Sequence, residues 1–225
     1  MVLMRTYETG LAGRAPRAAR LGRQPIHTAD DRTLGYEFLY RTRTHGAVPV
    51  DQWSARDQDR ATRDVLGEVF RTPGPPPLAA GHLAFVNMTR SYLAGDIPLQ
   101  VGPQWLVLEV VESVPADPAV VRGVRDLRER GYRIAIDDFV ALDDQIALLP
   151  WADYVKIDCR DLLRYGPGLL DQATRHGAVL VAERVEDDRA MDICTRAGFT
   201  LFQGDAVAPT SIWERGSVIP SPRAG

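Results

Sequence analysis

From residue 22 onward the chain alternates short apolar runs of strand character with longer stretches of helical spacing. "GRQPIH" and "LGYEFLYR" come first, joined by "TADDRT", whose Asp and Thr residues mark a hairpin turn, so these two runs pair antiparallel. The segment "DQWSARDQDRATRDVLGEVFR" then sets Trp53, Val65, Leu66, Val69 and Phe70 at helical spacing behind Asp51 as N-cap, and "TPGPPP" breaks it. After that break the pattern repeats: "HLAFVN", "WLVLEVVE", "YRIAIDD", "DYVKID", "AVLVAE" and "FTLFQG" are strands separated mostly by helices. "DPAVVRGVRDLRERG" is the best punctuated helix, with Asp117 as N-cap, Pro118 at its first position, Val120, Val121, Val124 and Leu127 on one face, and Gly131 closing it. Gly177 and Gly198 end later helices in the same way. Strands alternating with helices imply parallel pairing through right-handed crossovers, and about eight strands is the number that closes a barrel. The expected fold is α/β, a modified TIM-type (β/α)8 barrel with an antiparallel first strand pair.

Composition narrows the functional classes. At 225 residues, 45% hydrophobic and 25% charged, the chain suits one large domain, and a net charge of -3 argues against a surface built for nucleic-acid polymers or anionic membranes. Cys159 and Cys194 make neither a metal-binding spacing nor a disulfide framework, which fits a reducing cytoplasm. No stretch has the length and apolarity of a signal peptide or a membrane span. Residues 1–20 are read as a flexible leader, 21–213 as the barrel and 214–225 as a flexible tail. Lys156 is the only lysine, every other basic side chain being arginine. Either it survives by chance or its position needs an ammonium.

In barrels of this class, chemistry gathers at the C-terminal ends of the strands. There the sequence places Asn87, Glu109 and Glu112, Asp137 and Asp138, Lys156 and Asp158, Glu183, and Gln203, with Glu37 inside the hairpin strand. One polar residue at a strand end is ordinary; six in register are not. Glu37, Asn87, Glu109, Asp137, Asp138 and Glu183 form an all-oxygen set without histidine, which suits Mg²⁺, Mn²⁺ or Ca²⁺. That many carboxylates cannot all stay ionised together without cations, so Asp137 and Asp138 are expected between two metals. Lys156 would then present a positive donor to a water or to charge developing on a phosphate. Arg41, four residues after Glu37, reads equally as a phosphate ligand or as a salt-bridge partner. P-loop, G-x-G-x-x-G, G-x-S-x-G and H-E-x-x-H patterns are all missing, and His27, His45, His82 and His176 have no ligand spacing.

The ordered set "RQPI", "GYEFLYR", "FVN", "LEVVE", "GYRIAIDDF", "YVKID", "VAERVE" and "GFTLFQG" resembles the EAL domain of bacterial cyclic di-GMP signalling, from about Arg23 to Pro209. The name-giving tripeptide reads Glu37-Phe38-Leu39. The resemblance implies a barrel that binds cyclic di-GMP and, in active members, hydrolyses it to linear pGpG with two Mg²⁺ or Mn²⁺ ions. It implies that Glu37, Asn87, Glu109 and Asp137 hold one metal and Asp137, Asp138 and Glu183 the second, with Asp138 and Glu183 counted among the catalytic residues. It also implies that Lys156 orients the nucleophilic water, that Gln203 lies beside that site, and that Leu39 and Arg41 touch the ligand, Arg41 at a phosphate. Glu112 matches the glutamate that anchors the loop after the aspartate pair.

That loop departs from the family pattern. Active members read D-D-F-G-[TA]-G-Y-S-S, a loop that closes over substrate and supports a dimer; here "DDFVALDDQIALLP" puts Val140 at the glycine and is shorter and acidic. Arg184 stands where glycine is common and Asp205 where an aromatic is usual. These features look most like the EAL half of EAL-HDOD proteins, here as a stand-alone version, a group that includes poor phosphodiesterases. Three readings follow: a phosphodiesterase; a cyclic di-GMP receptor or adaptor working through a protein partner or a homodimer; and a scaffold without nucleotide function.

Overall fold

In the computed structural model residues 20–41, 50–214 and 217–220 are described; apart from Arg20, the expected leader lies outside them. β1 (Arg20–Thr28) and β2 (Thr33–Arg41) run antiparallel, Arg20 opposite Arg41, with a bulge between Ile26 and His27. A parallel ladder then runs from β2 through β3 (Leu83–Met88), β4 (Leu106–Val110), β5 (Arg133–Ile136), β6 (Tyr154–Asp158), β7 (Val179–Glu183) and β8 (Leu201–Phe202). β8 returns antiparallel to β1, His27 opposite Phe202, and closes the barrel. The modified TIM-type barrel with its antiparallel first pair is the fold.

The helices are α1 (Ala55–Val69), α2 (Arg90–Leu93), α3 (Pro118–Glu129), α4 (Asp143–Leu148), α5 (Cys159–Tyr165), α6 (Gly168–Ala173) and α7 (Asp188–Arg196). On α3 the Asp117 carboxylate accepts from the Ala119 and Val120 amides at 2.8 and 3.1 Å, Val120, Val124 and Leu127 are buried, and Gly131 turns the chain out at φ 92°. Val121 is only partly buried. On α1 the expected cap is corrected: Ser54, whose hydroxyl accepts from the Asp57 amide at 3.3 Å, caps the helix, while Asp51 falls in a preceding 3-10 turn, Val50–Gln52. Both residue types cap well, and the path of the chain into the helix decides between them.

Of the expected loose tail, residues 214 and 217–220 form strand instead, and 215, 216 and 221–225 lie outside the described residues. β9 (Ser211–Glu214) pairs with β1, Leu21 opposite Trp213, and β10 (Ser217–Pro220) pairs with β9. One outer edge of β1 is thus shared, residues 27–28 with β8 and 21–23 with β9. Main-chain donors and acceptors left open where β8 stops provide the template.

The interior follows from the two-residue period of strands. Ile26, Phe85, Val107, Ala135, Val181 and Leu201 fill the barrel centre, separate from the larger core between barrel and helices. Gly35 leaves room for this plug: a Cβ there would stand 2.6 Å from the Leu83 carbonyl and 3.0 Å from the Phe85 ring. Two residues further along the same faces come Glu37, Asn87, Glu109, Asp137, Glu183 and Gln203, with Lys156 two residues beyond Tyr154, which packs on the plug. The apolar floor and the polar layer above it are therefore one pattern, repeated strand by strand.

Candidate active site

The polar layer is built around one ammonium. Lys156 is fully buried, and its Nζ stands 2.7 Å from Asp137 Oδ1, 2.8 Å from Glu109 Oε1, 3.0 Å from Glu183 Oε1 and 3.4 Å from Glu37 Oε2. β2, β4, β6, β7 and the residue following β5 each supply one of these groups. Asn87 lies beside Glu109 in the β3–β4 register, and the Thr62 hydroxyl on α1 donates to the Asn87 carbonyl at 3.0 Å. Gln203 donates to Glu37 Oε2 and, at 3.2 Å, to Gln24 Oε1. Asp138 follows Asp137 at φ 44°, with the Glu112 carboxyl group close enough to raise its pKa.

Four carboxylates against one ammonium is an unbalanced set. Burial pushes the Glu109 and Glu183 carboxyls well above the usual range, their carboxylate neighbours push the same way, and Lys156 opposes both. Burial, followed by the charges of Asp137 and Glu112, raises Asp138 to about 6. Burial also works to strip Lys156 of its proton, but Asp137, Glu109, Glu183 and Glu37 outweigh it and hold the ammonium well above the ordinary lysine range.

A pH dependence follows. Raised carboxyls keep protons in the folded state that the unfolded chain has already released, so metal-free protein loses stability as pH rises from about 4 through about 6 and beyond. In chelator, the melting temperature is expected to be lower at pH 7.5 than at pH 5, and Mn²⁺ is expected to reverse the order. A melting temperature that is flat or rises between those pH values would refute the charge imbalance.

Above this layer lies a cavity of about 620 Å³, within the range of small-molecule sites. Glu37, Asn87, Asp137, Asp138, Glu183 and Gln203 reach it, as do Leu39, Arg41 and Glu112; Lys156 and Glu109 lie beneath its floor. Arg41 has no ion-pair partner among the described residues, and its guanidinium lies over Gly22, where a Cβ would come within 2.9 Å of Nε. Arg41 thus lines the cavity with its guanidinium packed on β1. Asp158 is occupied elsewhere: it caps α5 and pairs with Arg160 at 2.6 Å and Arg184 at 3.1 Å. Arg184, at φ 51°, adopts the left-handed conformation that glycine would take more readily.

Asn87 Oδ1, Glu109 Oε2, Glu183 Oε2 and Gln203 Oε1 are buried acceptors without a hydrogen-bond donor among the described residues. Buried oxygens in that condition require a donor or a cation, and hard oxygen donors suit divalent ions. Among the described residues no three His, Cys, Asp or Glu side chains surround a common point as a ready cage, because the carboxylates close on Lys156. The donor chemistry fits cations; the arrangement seen is the one held by the ammonium.

Sequence reasoning missed Gln24, Thr62 and Gln145. Gln24 was within reach, standing two residues before Ile26 on the inward face of β1, whereas Thr62 and Gln145 act on backbone atoms that only folding brings near.

The EAL domain model matches residues 89–210, which leaves Asn87 just outside it and Glu37, Leu39 and Arg41 well before it. The chain is 32% identical over 190 residues to uncharacterized protein YuxH of Bacillus subtilis, covering 82% of this chain and 45% of that one. It is 34% identical over 189 residues to cyclic di-GMP phosphodiesterase CdgJ of Vibrio cholerae, covering 82% and 42%. It therefore spans less than half the length of either curated relative. The Bacillus subtilis YkuI protein, with an EAL domain and in complex with cyclic di-GMP and calcium, shares the fold at a TM-score of 0.68 and 22% identity, over 84% of this chain and 54% of that one. No helix among the described residues is long and apolar enough to cross a membrane. By the model that covers more than half of it, and by the barrel and polar layer described above, this chain belongs to the EAL domain family.

Proposed function

We propose that the chain hydrolyses cyclic di-GMP to linear pGpG in a cation-dependent reaction of bacterial second-messenger signalling in the cytoplasm. The observation that carries this is the oxygen layer, complete from Glu37 to Glu183, under a cavity with Arg41 on its wall. Glu37, Asn87, Glu109 and Asp137 would hold one Mg²⁺ or Mn²⁺, and Asp137, Asp138 and Glu183 a second. When bound, the two ions supply an activated water and offset charge on the phosphoryl oxygens. Arg41 and Leu39 hold the nucleotide, with the guanidinium toward a phosphate. Gln203 fixes Glu37, and Lys156 orients the water from below. A relative named as a cyclic di-GMP phosphodiesterase supports the substrate class.

A second reading, a cyclic di-GMP receptor or adaptor with impaired turnover, draws support from the short acidic loop after Asp138, where Val140 stands in place of the glycine of active members. Incubation of the protein with cyclic di-GMP and Mn²⁺ or Mg²⁺, followed by chromatography, separates the two. Cation-dependent release of pGpG is the expected result. Nucleotide binding without release would favour the receptor, and neither would leave the scaffold.

A further inference from the structure

We propose that Gln145 is a positioning residue for the aspartate pair, gripping the backbone of the short loop that follows it; this rests on the cation-dependent reading above. Gln145 is 4% exposed and sits in the first turn of α4. Its Oε1 accepts from the Val140 and Leu142 amides at 2.9 and 3.2 Å, and its Nε2 donates to the Asp137 and Asp138 carbonyls at 3.3 and 3.0 Å. A side-chain amide has two N–H donors and an oxygen with two acceptor sites, and all four are used here on one stretch of backbone.

The consequence for the site is geometric. Peptide units are planar, so pinning the carbonyls of Asp137 and Asp138 fixes the planes on both sides of the Asp138 Cα and thereby the direction in which its carboxylate leaves the chain. Such pinning is needed. Asp138 at φ 44° and Ala141 at φ 62° are both non-glycine residues in the left-handed region, which the surroundings must impose. Asp144, beside Gln145, accepts from the Ala116 amide at 2.9 Å and so ties α4 to the segment that follows Glu112, which lines the cavity with Asp138. The short acidic loop is therefore built from its own C-terminal side: a glutamine grips the backbone, and an aspartate docks it.

The test compares wild type with Gln145→Ala, with the isosteric Gln145→Glu, which keeps the two acceptor bonds and loses the two donor bonds, and with Val124→Ala, a core truncation on α3. In metal-free Gln145→Ala, amide exchange at Val140 and Leu142 is expected to accelerate at least about tenfold. By titration calorimetry, Mn²⁺ affinity is expected to fall about 10- to 100-fold, the usual cost of losing a group that orients a metal ligand. Gln145→Glu should lose Mn²⁺ affinity in the same direction and serves if the alanine variant does not fold. kcat should fall with KM for nucleotide little changed, and Val124→Ala should melt earlier with Mn²⁺ affinity intact. Wild-type Mn²⁺ affinity in both Gln145 variants would overturn the positioning role alone. Wild-type protein that binds no Mn²⁺ would instead overturn the cation-dependent reading and this role with it.

Discussion

Asp137→Ala is expected to reduce cation-dependent release of pGpG by at least about 100- to 1,000-fold, the scale of removing one preorganised group that stabilises transition-state charge. Asp137 makes the shortest contact to the buried ammonium, 2.7 Å, and it reaches the cavity beside Asp138. It is the one carboxylate assigned to both cations, so no neighbour replaces it. The same change removes a negative charge from a layer with too many, so in chelator the variant should stay folded. Melting curves alongside the chromatographic assay therefore separate lost chemistry from lost fold. Turnover at the wild-type level would sink the assignment of this layer as the reacting site.

Lys156→Ala is expected to cost the metal-free protein about 3–5 kcal/mol at pH 8, because removing one partner strands several buried carboxylates. The loss should shrink at pH 5, where the raised Glu109, Glu183 and Asp138 carboxyls take up protons and no longer need the ammonium. Urea unfolding in chelator at the two pH values measures this, and equal losses at both would show that the carboxylates are not what Lys156 stabilises. Saturating Mn²⁺ should recover part of the stability, since ligands of the folded state stabilise it by mass action. Turnover should not recover with it: pGpG release is expected to fall far more than nucleotide affinity, whereas equal losses would mean that Lys156 holds the nucleotide rather than the water.

The strands that build the site could be read because their information is local. Phe85 and Asn87, Val107 and Glu109, and Val181 and Glu183 are each an apolar residue followed two places later by a polar one, and the pleat turns that spacing into a floor and a layer whatever else the chain does. Asp117 and Pro118 began α3 as expected, because a cap acts on amides two and three residues away. The errors fall where the partner is distant or where two local choices compete. Ser54 and Asp51 are both good caps; β10 has its place only because β9 lies beside it, and β9 only because β1 offers it a free edge.

By itself the sequence determined the barrel, the oxygen-rich rim with its six ligand candidates, and the significance of a single lysine, since periodicity and residue type follow from covalent order. The tertiary structure alone decided that the lysine lies under the carboxylates and is gripped by four of them, that Arg41 packs over Gly22 at the cavity wall, and that Gln145 saturates the backbone of the aspartate loop. Each of these is a contact between segments far apart in the chain or between a side chain and a backbone shape that exists only after folding. Their strength comes from the exclusion of water, which sequence spacing does not encode.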